Sequence, residues 1–166
     1  VSVLAIVWSL AQLFYASPLP FALGVGIIND TEARSLHLAI GVFLAFLVFP
    51  AFKRWSPRDR VPVADWVLAL VAAFCAAYLM LFYRSLAERP GQPTDMDLWT
   101  AVIGMILLLE ATRRAVGWPM AALAIICFIY IFAGPYMPDV LLHKGASISR
   151  AMSQMWLTTE GVFGVA

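Results

Sequence analysis

The sequence predicts an all-α integral membrane protein: a bundle of about five transmembrane helices, plus an interfacial amphipathic helix near the C-terminus. Three observations predict it. Hydrophobic residues make up 63% of the 166-residue chain and charged residues 13%, against roughly 45–50% and about 25% in soluble domains. From Leu98 to Pro138 the only charged side chains are Glu110, Arg113 and Arg114, so one long apolar run divides into two crossings, each needing about 20 residues. The eleven basic and ten acidic residues, net +1, lie mostly between apolar runs, which leaves no basic patch for nucleic acid.

The elements follow in order from hydropathy, because only helices satisfy their own backbone in lipid. The first runs from Val1 to Ala16, the second from Leu36 to Phe52, the third from Ala64 to Tyr83, the fourth from Leu98 to Glu110 and the fifth from Trp118 to Phe132. The first is read as a truncated helix, since it lacks the basic start of a signal peptide. Loops rich in Pro, Gly and charge separate them: Ser17–Arg34, Lys53–Val63, Arg84–Asp97 and a turn around Arg113–Pro119. Ala69, Ala73 and Ala77, with Ala72 and Ala76 alongside, allow a neighbouring helix to approach the third segment closely. After Gly134-Pro135, the stretch Ser147–Trp156 mixes Ile148, Met152, Met155 and Trp156 with Ser149, Arg150 and Gln154 at helical spacing, the pattern of an interfacial helix.

Two regions result, 1–134 as the transmembrane helices and 135–166 as an outer loop, the amphipathic helix and a junction. The apolar ends at Val1 and Ala166 suggest part of a longer protein. Basic residues in short loops mark the cytoplasmic side. Lys53, Arg54, Arg58 and Arg60 concentrate in one loop, joined by Arg113 and Arg114, which places the N-terminus inside and the tail after Pro135 outside.

Candidate chemistry is sparse. Glu110 precedes Arg113 by three residues and Arg114 by four, the acid-first spacing that forms ion pairs along one helix face. The simplest account is a structural ion pair. The functional alternatives are a coupling-ion ligand at Glu110 or an anionic lipid headgroup at Arg113 and Arg114. His37 near the outer end of the second segment could reach the interface, and His143 beside Lys144 reads as solvated; neither has a metal partner at useful spacing. Asp95 and Asp97 favour the start of the fourth helix. Cys75 and Cys127 sit inside apolar runs as packing residues. Trp55, Trp66, Trp99, Trp118 and Trp156 fall near span ends, as in an aromatic belt, while Trp8 packs between helices. Hydrolase, phosphate-loop and metalloprotease signatures are absent, which gives enzyme activity little support.

Two stretches are more specific: Ile106-Leu107-Leu108-Leu109-Glu110-Ala111-Thr112-Arg113-Arg114-Ala115-Val116-Gly117 and Leu157-Thr158-Thr159-Glu160-Gly161-Val162-Phe163-Gly164-Val165. Together they resemble the fused permease of TRAP transporters, particularly the TAXI branch, and the intervening Phe132–Pro138 and Leu142–Gly145 segments follow that family in content and order. The resemblance covers Leu98 to Val165; upstream, only the helix pattern and the basic second loop agree. It implies the N-terminal, small-subunit-like region of a sodium-driven importer of organic anions in the bacterial inner membrane. Its implied partners are a periplasmic substrate-binding protein and the large transport domain of the same polypeptide. Sodium and substrate would bind in that further domain, so no cofactor or ligand residue is carried over, and Thr158, Thr159, Glu160 and Gly161 are read as the junction into it. The alternative, that Thr159 and Glu160 touch ligand, stands beside that reading.

Overall fold

The structure, a computed structural model, describes residues 2–24, 29–51, 61–89 and 91–165. The basic loop from Lys53 to Arg60, with Trp55, lies outside these residues. Among the described residues the secondary structure is entirely helical: α1 (Ser2–Ala16), α2 (Leu19–Leu23), α3 (Asp30–Val48), α4 (Val63–Leu81), α5 (Tyr83–Ala87), α6 (Asp95–Ala115), α7 (Trp118–Ala133), a 3-10 turn (Gly134–Tyr136), α8 (Ile148–Trp156) and α9 (Val162–Val165). Three stretches are long and apolar enough to cross a membrane: Asp30–Val48, Val63–Leu81 and Trp118–Tyr136. Of the two other expected spans, α1 has 15 residues and α6 carries five charged side chains among its 21.

Helix caps move two boundaries away from the hydropathy reading. Asn29 accepts from the Thr31 amide while its own N–H donates to Glu32 Oε2 at 3.0 Å, so α3 starts at Asp30 rather than Leu36. Thr94 and Asp97 close the same kind of reciprocal box on α6, satisfying amide groups that a bare helix start leaves orphaned. The helix then continues through Arg114 to Ala115, about 31 Å at 1.5 Å per residue. The charged residues are therefore its last turn, not a hinge. The reversal comes at Gly117, whose φ of 112° is open to glycine and strained for other residues, and Pro119 opens α7.

Helices α3, α4 and α6 form the centre, with α4 antiparallel to the other two. Ala69, Ala72 and Ala76 of the small-residue face are buried, and around them pack Val42, Phe46 and Leu47 of α3 and Leu107 and Ala111 of α6. Ser35, fully buried on α3, donates to the Ala76 carbonyl at 2.7 Å and accepts from the Met80 amide at 3.3 Å, so a hydroxyl crosslinks two spans. No residue of α1 is buried; Trp8 lies beside His37, and Gln12 hydrogen-bonds that imidazole.

Helix α8 is amphipathic, but its apolar face does not look toward lipid. Ala151, Met152 and Trp156 are buried together with Cys75 and Ala76 of α4 and Ala101 and Met105 of α6. Trp156 lies over Gly104, where an added Cβ would fall inside the indole ring, and its Nε1–H donates to the Cys75 carbonyl at 3.1 Å. Phe163 of α9 meets the same ring edge-on at 5.5 Å. Trp156 is thus a core anchor rather than a belt residue. Trp66, Trp99 and Trp118 remain exposed near helix starts.

Candidate functional site

At one end of the bundle, the C-terminus of α6 meets the end of α3 and the start of α4. Glu110 accepts from Arg113 Nε at 2.7 Å and Nη2 at 2.6 Å, and from Arg114 Nε at 2.7 Å. Arg114 reaches further: its Nη1 donates to Asp65 Oδ1 at 2.8 Å, and its guanidinium lies 4.7 Å from the centre of the Phe46 ring. The Arg114 and Asp65 side chains are 3% and 5% exposed, whereas those of Arg113 and Glu110 are 24% and 30% exposed. A local pair is thereby extended into an alternating network, Asp65, Arg114, Glu110 and Arg113, with formal charges that cancel.

That cancellation bears on the readings of the motif. Glu110 is engaged by two arginines, which leaves little of its carboxylate for a further cation. Arg113 is chelated by Glu110 and stacks toward Trp118 at 5.3 Å, so the pair offers a lipid headgroup little net charge. The geometry suits an anchor that fixes three helix ends. Asp65 was not apparent from the sequence because it lies 49 residues from Arg114, beyond the separations at which helical spacing carries information.

The opposite end holds a second network. Asp97 is fully buried; its Oδ1 accepts from the Tyr78 hydroxyl at 2.6 Å, and its Oδ2 accepts from the Thr94 amide at 2.8 Å and lies 3.4 Å from Arg89 Nη2. Capping is thus only part of what Asp97 does; it also ties α4 and the segment after α5 to the start of α6. The 2.6 Å O–H···O contact has the length of a charge-assisted bond.

The junction residues lie at this same end. Thr158 Oγ1 donates to the Gln154 carbonyl at 2.8 Å and accepts from the Glu160 amide at 3.3 Å, while Gln154 Nε2 donates to Glu160 at 2.7 Å. Gly161 passes so close to the Met155 backbone that a side chain would collide with it. Together they end α8 and turn the chain into α9. Thr158 and Thr159 also line a cavity of about 230 Å³ beside Arg89. His143, expected to be solvated, instead folds over Gly134 and Tyr130. Gly145 N–H donates to its Nδ1 at 3.0 Å, which leaves Nε2 to donate to the Tyr130 carbonyl at 3.0 Å.

What the fold and these networks define is a chain that is helical throughout its described secondary structure, with three helices long and apolar enough to cross a membrane, and with buried charges tying α4 to α6 at both ends of the bundle. No protein-family profile, curated protein or solved structure matches the chain.

Proposed function

We propose that this chain is the N-terminal membrane scaffold of a sodium-coupled secondary transporter of the TRAP type. It holds a large transport domain of the same polypeptide in the bacterial inner membrane as a multi-pass helical region, with its N-terminus inside. The imported substrates are organic anions delivered by a periplasmic binding protein, and sodium binds in the transport domain.

The observation that carries this reading is the internal pairing of the buried and half-buried charges. Asp65 and Glu110 are engaged by Arg114, and Asp97 by Tyr78, Thr94 and Arg89. A translocation path needs polar groups that exchange protein partners for a travelling solute. Here those groups tie α3, α4 and α6 to one another, which favours a holding role. The family assignment itself rests on the two resembling stretches around Glu110–Arg114 and Thr158–Gly161. The second reading is a non-transporting membrane assembly or anchoring subunit, which the same pairing also suits.

Two experiments separate these readings. Deleting the region from the full-length polypeptide should abolish assembly and sodium-driven uptake in proteoliposomes; normal uptake without it would remove the scaffold role. Continuation of the gene past Ala166 into repeated apolar spans of about 20 residues supports the permease, whereas an immediate stop favours the assembly subunit. For the motif itself, Glu110→Gln should reduce the folded yield more than it alters sodium dependence, because both arginines lose an ionic partner. Selective loss of sodium coupling in a well-folded Glu110→Gln protein would instead make Glu110 an ion ligand.

A further inference from the structure

The cavity beside α8 has a chemistry that the scaffold role does not use. It occupies about 230 Å³ between the start of α3, the end of α4, α5 and the C-terminal part of α8. Its only charged lining side chain among the described residues is Arg89, and no carboxylate lines it. The hydroxyl-bearing residues Thr31, Ser153 and Thr159 line the same cavity, while Leu79 and Leu157 belong to the apolar part of the wall.

Arg89 is held but not consumed. Its Nε and Nη2 donate to the Ser85 carbonyl and hydroxyl, both at 3.1 Å, and Nη2 also faces Asp97 at 3.4 Å. Among the described residues Nη1 has no protein acceptor, and the side chain is 30% exposed. Fixing one edge of a planar guanidinium against the protein aims the other edge at an oxyanion. Buried Asp97 offsets part of this charge through its 3.4 Å contact with Nη2, but its carboxylate is also engaged by Tyr78 and the Thr94 amide and does not line the cavity, which leaves the Nη1 edge of Arg89 facing it.

We propose that this cavity binds the phosphodiester headgroup of an anionic phospholipid, with Arg89 as the charged contact and the hydroxyls of Thr31, Ser153 and Thr159 as the polar rim. The leucine wall receives the glycerol and the first acyl methylenes. The location favours a bilayer source over a soluble one: the cavity sits at the end of the membrane-length helix α4, where α5 turns away after Phe82. A ring of polar groups joined to an apolar wall at that level matches an amphiphile's division between headgroup and chain. The site lies at the opposite end of the bundle from Arg113 and Arg114, so it differs from a lipid contact at that motif.

Native mass spectrometry of the full chain, exchanged into nanodiscs of phosphatidylcholine alone or with added phosphatidylglycerol, tests it. Wild type should retain one phosphatidylglycerol molecule. Arg89→Gln should retain about tenfold less, the scale of one lost charge-assisted hydrogen bond, while Arg150→Gln on the exposed side of α8 retains it fully. Ser153→Leu, which fills the cavity without touching the Arg89–Asp97 pair, should show the same loss and carries the test if Arg89→Gln fails to fold. Equal retention by wild type and Ser153→Leu overturns the proposal. So does displacement of the lipid by inorganic phosphate that also stabilises the protein in phosphatidylcholine alone, because the ligand would then be a soluble oxyanion.

Discussion

Arg114→Met is expected to destabilise the helical bundle by about 3–5 kcal/mol, the cost of leaving a buried charge without its partner. The side chains of Arg114 and Asp65 are almost fully withdrawn from solvent, and Arg114 also fills space against Phe46. Removing it strands Asp65 at the start of α4 and leaves Glu110 with Arg113 alone. Water cannot readily take over, because the site is closed by the ends of α3, α4 and α6. The matched double variant Asp65→Leu with Arg114→Met should recover most of the loss, since two apolar groups of similar volume can replace a buried ion pair at little cost. Thermal unfolding in detergent micelles reads both. A double variant as unstable as Arg114→Met alone would mean that Arg114 acts through packing or Glu110, not through Asp65.

Trp156→Ala should have a comparable effect, about 3–5 kcal/mol. Trp156 is 1% exposed and joins α8 to the middle of α6 and α4, with Phe163 closing its outer edge. Truncation leaves a cavity over Gly104 and releases α8, whose nine residues are too few to hold a helix in isolation. Trp156→Phe should lose less, because the ring still fills part of the notch and the missing indole hydrogen bond contributes about 0.5–1.5 kcal/mol. From the other side of the contact, Gly104→Ala should destabilise by about 1–3 kcal/mol through overpacking, since its methyl would meet the indole ring. Limited proteolysis within 137–160 should accelerate in Trp156→Ala and Gly104→Ala but much less in Trp156→Phe. Unchanged proteolysis in Trp156→Ala would contradict the anchoring of α8 by this side chain.

The helical class was legible because composition and apolar run length answer to the solvent, not to the partner. The pairing of Glu110 with Arg113 and Arg114 was also within reach, since three- and four-residue spacing is a local property of the helix. Asp65 was not: a single aspartate near the start of an apolar segment has the same local signature whether it faces water, caps a helix or meets an arginine 49 residues away. The amphipathic pattern of α8 was visible for a similar reason and incomplete for the same one. Periodicity shows that one face is apolar, but lipid and a groove between α4 and α6 reward that face equally. Gly104 was the overlooked signal, because an isolated glycine inside a helix costs about 1 kcal/mol relative to alanine and marks a close approach. Helix starts were misplaced where caps lie outside the apolar run, as Asn29 and Thr94 do.

The networks at the two ends support one physical claim, that α3, α4 and α6 move as a unit; under the transporter function proposed above, sodium coupling would then lie outside this bundle. Amide hydrogen exchange of the full-length polypeptide in lipid nanodiscs, with sodium against potassium, tests that claim most directly. The account predicts the same protection in both ions across Val63–Leu81 and Asp95–Ala115. Sodium-dependent protection centred on Glu110–Arg114 or on Asp97 would contradict it and place ion coupling inside this bundle.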